Sequence, residues 1–158
     1  MTAAIDTNVL LDILLPDPKH SKSSYLLLNK YMKSDRLIIS EIVYSELASQ
    51  FSEKKLLTKF LNDTYINLVV SSTDALWVAA KSWKTYTKNR GRWIQCSKCG
   101  KKETVKCSDC NSTISYRQHI ISDFLIAGHA ITEADILLTR DRGFYQAYFS
   151  ELKTNNEL

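Results

Sequence analysis

The sequence predicts an α/β domain with a central parallel sheet covered on both faces. Three observations carry that prediction. Short apolar runs of strand length alternate with longer stretches of helical periodicity, the pattern of strands joined by helical crossovers. Two of those runs lead straight into Ser or Thr residues suited to cap the next helix. The chain has 158 residues and is 44% hydrophobic, enough for one core with room for a small extra module.

The first strand ends at Ile5, after Ala3 and Ala4. Helical pattern follows from Val9, breaks at Pro16-Asp17-Pro18, and resumes from Ser21 to about Met32. "RLIIS" is the second strand, and its Ser40 caps a helix reaching about Phe51. A further helix covers residues 53–61. "INLVV", residues 66–70, reads as a buried-type strand, and Ser71-Ser72-Thr73 caps a helix over residues 74–88. Helical pattern returns in "YRQHIISDFLIAGHA", up to Ala130. "DILLT", residues 135–139, is the last strand, followed by a short helix from about Arg142. The sequence contains no internal repeat and no low-complexity segment.

Charge is unevenly spread. The net charge of +4 divides into +8 between Lys81 and Arg117 and −4 over the remainder. A mildly acidic body thus carries one basic segment, which is either a solvated loop or a surface that attracts a polyanion. No apolar run approaches the roughly 18 residues that a membrane span needs. The first residues lack the basic-then-apolar order of a signal peptide, so a soluble, cytoplasmic protein without membrane contact is expected.

All four cysteines fall in the basic segment, in "QCSKCGKKETVKCSDC". Cys96 and Cys99 form one C-x-x-C pair, Cys107 and Cys110 the other. Two such pairs supply the four thiolates of a tetrahedral Zn²⁺ site, and with every position filled the site is structural. Gly100 and Asn111 follow the two pairs, and both tolerate the left-handed backbone that folds amides back toward thiolates. Residues 91–116 are therefore read as a zinc-ribbon insertion, splitting a body of residues 1–90 and 117–158.

Acids mark the strand ends. In open α/β sheets the working crevice lies at the carboxyl ends of the strands. Asp6 follows the first strand and Asp141 follows the last. Glu46 shares a helix face with Ile42 and Val43, so it points partly inward. Asp123, beside Ile120 and Ala127, sits near the start of the helix that returns to the last strand, hence at the same rim. Four converging carboxylates repel, and at least one should keep its proton until a cation arrives. Oxygen-only ligands select Mg²⁺ or Mn²⁺, which can activate water and offset phosphoryl charge. Thr7, Asn8, Ser45, Thr139 and Arg140 are polar neighbours suited to orient carboxylates or a phosphate. The alternative is that Asp6 is a helix cap, Asp141 a turn residue and Glu46 a surface charge. Asp12, Asp74, Glu133 and Asp135 read as caps or surface charges, and His20, His119 and His129 as surface or packing residues.

Four stretches in order, "IDTNVLLD", "SEIVYSEL", "SDFLIAGHA" and "LLTRDRGF", resemble the PIN domain, especially the VapC-type toxins of toxin–antitoxin pairs. The resemblance spans the chain apart from about residues 90–117. It implies a PIN-like three-layer sandwich and a Mg²⁺- or Mn²⁺-dependent endoribonuclease leaving 5′-phosphate and 3′-hydroxyl ends. By position, Asp6, Glu46, Asp123 and Asp141 match the acidic tetrad and Thr139 the accompanying hydroxyl. The family also implies a homodimer and a cognate antitoxin that blocks the acidic pocket. The cysteine segment departs from the compact pattern. A PIN domain with a zinc ribbon is similar to the endonucleases that trim small-subunit ribosomal RNA, although there the ribbon follows the domain. A non-cleaving module that binds RNA or protein is the other alternative. A phosphatase or receiver-like protein ranks last, because Asp6-Thr7-Asn8 is not D-x-D. RNA contacts are expected from Asn8, Arg140, Arg92, Lys98, Lys101 and Lys102, with Trp93 and Tyr116 either stacking platforms for bases or packing the ribbon onto the body. Trp83 is expected to pack.

Overall fold

Consecutive residues of a strand face opposite sides of a sheet, so an unbroken buried run means that both sides are covered. The computed structural model of the chain describes residues 1–33, 36–89, 91, 94–95, 101–114 and 120–155. In it, β1 (Thr2–Ile5) buries Ala3, Ala4 and Ile5, and β2 (Arg36–Ile39) buries Leu37, Ile38 and Ile39. With β3 (Ile66–Leu68) and the last strand, β8 (Ile136–Leu138), they form a parallel sheet in the order β3-β2-β1-β8.

Helices make the crossovers, seven among the described residues. α1 (Thr7–Leu14) and α2 (Ser21–Met32) join β1 to β2, and α3 (Glu41–Ala48) and α4 (Lys54–Asp63) join β2 to β3. α5 (Thr73–Asn89) and α6 (Ile121–Glu133) lead to β8, and α7 (Arg142–Tyr148) follows it. Ser40 caps α3 as expected, its hydroxyl accepting from Val43 N at 3.3 Å, and Ser72 does the same for Ala75 N at 3.2 Å. Among the described residues no helix is long and apolar enough to cross a membrane.

Three departures have physical reasons. α1 starts at Thr7, immediately after the strand, because Asp6 already has the extended backbone of an N-cap. β3 is not a buried strand: it lies at the sheet edge, where Ile66 is buried but Asn67 and Leu68 are exposed. An apolar run alone does not say whether a strand is central or marginal. Residues 153–155 run along the free edge of β8, Leu137 N donating to Lys153 O and Asn155 N to Leu137 O. That covers an edge otherwise open to pairing.

α6 is fixed from both sides. Phe124 is fully buried, with the rings of Trp83, Tyr86, Phe144, Tyr148 and Phe149 at centroid distances of 5.1–5.7 Å. Trp83 is thus a packing residue, as expected. Further along, a Cβ on Gly128 would come within 2.3 Å of Ala75 O, so α5 and α6 approach as closely as they do only because this residue has no side chain.

Between α5 and α6 lie two short antiparallel pairs, β4 (Ile94–Gln95) with β5 (Lys102–Glu103), and β6 (Val105–Lys106) with β7 (Thr113–Ile114). In sequence each C-x-x-C falls between the strands of one pair. Cys96 and Cys99 lie outside the described residues. Cys107 and Cys110 are free thiols on a tight turn: Asn111 N donates to Cys107 O at 3.0 Å and Cys107 N to Ser112 O at 2.9 Å. Asn111 takes the left-handed conformation expected of it, with φ of 55°. The hydroxyl of Ser112, 2.9 Å from Cys110 Sγ, pulls that thiol's pKa down.

Candidate active site

The register of β1 and β8 sets Ile5 beside Leu138, so the next residues, Asp6 and Thr139, emerge together at the carboxyl rim. Asp6 N completes the ladder to Leu138 O at 2.9 Å. Although Asp6 stands at the N-cap of α1, its carboxylate does not cap the helix. It turns into the rim, where Oδ2 accepts from the Thr139 hydroxyl at 2.6 Å, Asn8 Nδ2 at 2.6 Å and the Tyr145 hydroxyl at 3.1 Å.

A threonine hydroxyl has one proton and two lone pairs. All three are used here: Thr139 donates to Asp6 and accepts from Asp141 N at 3.0 Å and Asn8 Nδ2 at 3.2 Å. Thr139 therefore links Asp6 to Asp141, placing these two acids on one side of the molecule. Asp141 caps α7, Oδ1 accepting from Phe144 N at 3.1 Å. Asn8 also accepts from Arg140 N at 3.1 Å.

Glu46, half-buried on α3, accepts from the Thr7 hydroxyl. Asp123 is the third residue of α6, its Oδ2 accepting from Ile120 N at 3.3 Å. Their charges meet. Burial is the main cause raising the Asp6 carboxyl to about 6; the Thr139 and Tyr145 hydrogen bonds oppose it, while the charges of Asp123 and Glu46 add to it. Asp123 is also raised, first by burial, then by Glu46 and Asp141 against its hydrogen bond from Ile120. Tyr145 is pushed up by burial and by Asp6, Asp123 and Asp141. Four acids from four parts of the chain thus share one field. Among the described residues, however, no three Asp, Glu, His or Cys side chains form a group able to hold a metal ion by themselves.

Asn8, Arg140 and Asp141 line a cavity of about 360 Å³ at this rim. Ser45 turns away from the acids, donating to Glu41 O at 2.7 Å in its own helix. Lys101 pairs with Glu103 at 2.5 Å, and Lys102 lies in β5. Arg92, Trp93, Lys98, Tyr116 and His119 fall outside the described residues. His129 is a packing residue, buried with Nε2 2.9 Å from Val69 O, and burial lowers its pKa.

The residue pattern of the PIN domain matches positions 3–150. The chain belongs to the PIN domain family. None of the curated proteins matches it in sequence. Among solved structures, this PIN chain is similar to VapBC2 from Rickettsia felis, bound there to a DNA fragment from its promoter. The identity is 19%, 98% of each chain is covered and the TM-score is 0.61. It is similar also to VapBC-1 from nontypeable Haemophilus influenzae, with 19% identity, coverage of 98% of this chain and 97% of that one, and a TM-score of 0.60. At that identity the likeness is one of fold.

Two site residues escape the sequence reading. Tyr145 looks like a core aromatic, and the only cue to it is its place one helical turn after Asp141. Asp12 reads as a cap or surface charge but is buried, with Arg140 Nε 2.6 Å from its Oδ2 in an ion pair that is not an aligned hydrogen bond. Of the other acids read as caps or surface charges, Asp74 is exposed in the first turn of α5 and Asp135 is exposed, accepting from Thr2 N at 2.7 Å.

Proposed function

We propose that this PIN domain is a Mg²⁺- or Mn²⁺-dependent endoribonuclease, the toxin of a toxin–antitoxin pair, acting in the cytoplasm. The observation that carries the reading is the shared field at the rim. Three hydrogen bonds fix Asp6 Oδ2 at the strand ends, beside Asp141 through Thr139; burial is what chiefly raises the Asp6 carboxyl to about 6, and the charges of Asp123 and Glu46 reach it as well.

The donor set fits a hard divalent ion. It consists of oxygens only, and Mg²⁺ is commonly held by one or two carboxylates while keeping several waters. That coordination does not need a ready-made group of three. Asp6 and Asp141 would be the direct ligands, with Glu46 and Asp123 completing the site directly or through water. When bound, the ion supplies activation of the attacking water and relief of charge on the phosphoryl oxygens. The chain does the positioning. Thr139 keeps Asp6 and Asp141 in fixed relation, Tyr145 and Asn8 hold Asp6 Oδ2, and Thr7 holds Glu46. Asp6 Oδ1, on which the bonds from Thr139, Asn8 and Tyr145 do not fall, would be the oxygen offered to the ion.

The substrate is RNA, met by Asn8 and Arg140 at the cavity and gripped by the basic segment through Arg92, Lys98, Lys101, Lys102 and Trp93. Residues 91–116 form a zinc ribbon inserted in the body of residues 1–90 and 117–158, with Cys96, Cys99, Cys107 and Cys110 as ligands. The left-handed Asn111 and the lowered Cys110 thiol support it. A cognate antitoxin is the expected partner, supported by the likeness to VapBC proteins, and a homodimer is expected from the family resemblance alone.

Purified protein should cut single-stranded RNA with Mn²⁺ and stop with EDTA. Asp6→Asn should lower the rate by about 10²–10³-fold while still binding RNA. A chain that binds RNA but never cuts it would be the non-cleaving module instead. Cys110→Ser should release zinc, read by a colorimetric chelator, and leave the body folded.

A further inference from the structure

We propose that Asp12 and Ser24 are positioning residues that hold Arg140 at the mouth of the acidic pocket, where its guanidinium grips an RNA phosphate next to the one being cut. The nuclease reading enters only in naming RNA as the polyanion.

Asp12 is 4% exposed, near the end of α1. A buried carboxylate without a counter-charge is strongly unfavourable, and here two groups meet its Oδ2. Ser24 of α2 donates its hydroxyl at 2.6 Å, and Arg140 Nε lies at 2.6 Å. The pair is one-sided. The Asp12 side chain is 5% exposed but that of Arg140 is 31% exposed. The anion is sealed and the cation is left open to the cavity of about 360 Å³ that it lines with Asn8 and Asp141.

Arg140 is restrained at both ends. Its backbone N–H donates to Asn8 Oδ1 at 3.1 Å, and its neighbours in sequence are Thr139 and Asp141, which belong to the acid network. A guanidinium is planar and carries five donors, so with Nε set against the Asp12 carboxylate in an ion pair, Nη1 and Nη2 lie in the same rigid plane for phosphate oxygens. Such a cation answers a need of the pocket. Four carboxylates repel the polyanion they must meet, and a fixed positive charge beside Asp141 offsets that repulsion along one approach. A lysine tethered at the same place would carry the charge without the fork.

The test is binding of a short fluorescent single-stranded RNA, read by anisotropy over a range of salt, in an Asp6→Asn background so that no cleavage intrudes. The double variant Asp12→Asn/Arg140→Gln replaces the ion pair by a neutral pair of similar shape. It should bind about tenfold more weakly, and the slope of log K on log[salt] should fall by about 0.7. Asp12→Asn alone keeps the cation but frees it, so affinity should fall with the slope unchanged. Arg140→Lys keeps both the charge and the pairing to Asp12. It should lose affinity several-fold, again with the slope kept, and it serves where the double variant does not fold. Wild-type affinity and slope in the folded double variant, or wild-type affinity in Arg140→Lys, would overturn the clamp. Wild-type affinity in Asp12→Asn would overturn the positioning role. Cleavage by the unmutated chain is scored separately. Its absence counts against the nuclease reading, and the clamp is still judged on binding.

Discussion

The two halves of the pocket are held in different ways. On the strand side, Asp6 and Thr139 are buried, and every bonding position of the Thr139 hydroxyl is in use. On the helix side, Glu46 and Asp123 are half-buried and Asp141 is exposed. They are tied by the Thr7 hydroxyl, Ile120 N and Phe144 N respectively. The buried half fixes geometry but makes ionisation costly. The wetter half adds further carboxylates to the same field and leaves its side chains room to adjust. A site for a small hydrated cation needs both: a fixed oxygen to define the position, and adaptable ones to meet its waters.

Breaking the strand side should have the largest effect. Besides losing cleavage, Asp6→Asn should change the pH dependence of stability. The folded carboxyl titrates at about 6 against an ordinary 3.8. Between those values the folded chain still holds a proton that the unfolded chain has lost. Metal-free stability is therefore fully present below about pH 4, falls as pH rises toward 6, and is roughly 3 kcal/mol lower above it. Melting curves without metal should show that decline in the wild type and a smaller one in Asp6→Asn, which keeps the raised Asp123 carboxyl and should be the more stable of the two at pH 7.

Tyr145→Phe comes next. It removes one donor from the ionised Asp6, costs about 1 kcal/mol of stability, and should move the Asp6 titration above its present value. Asp123→Asn sharpens the comparison from the helix side with the smallest effect. It removes a charge that raises Asp6, so the titration should move down. Carboxyl carbon NMR reads both in metal-free protein. Shifts in the same direction would break the division into a restraining half and a charging half.

The sequence makes the helix and strand order legible because period and capping are local. "RLIIS" carries both a buried strand and its helix cap, and Ser40 behaves accordingly. The gathering of Asp6, Asp123 and Asp141 is also legible, since parallel topology dictates which ends of helices and strands share a rim. Partners distant in sequence are not. Tyr145 meets Asp6 across 139 positions, and its place one helical turn after Asp141 is all that distinguishes its hydroxyl from that of a surface-tipped core residue. Asp12 sits among apolar helical residues, and only the fold reveals that Arg140 reaches it. The edge position of β3 is invisible for the same reason, because its exposure is set by which strand fails to pair beyond it.

The central claim is that acids from separate stretches of chain make one divalent-cation site with Asp6 at its centre. Calorimetric titration of Mn²⁺ into metal-free protein tests it most directly, comparing wild type with Asp6→Asn at pH 7 and at pH 5. We expect saturable uptake by the wild type at pH 7, weaker at pH 5 where Asp6 is largely protonated, and none by Asp6→Asn at either pH. No uptake by the wild type at pH 7, or equal uptake by Asp6→Asn, would contradict the account.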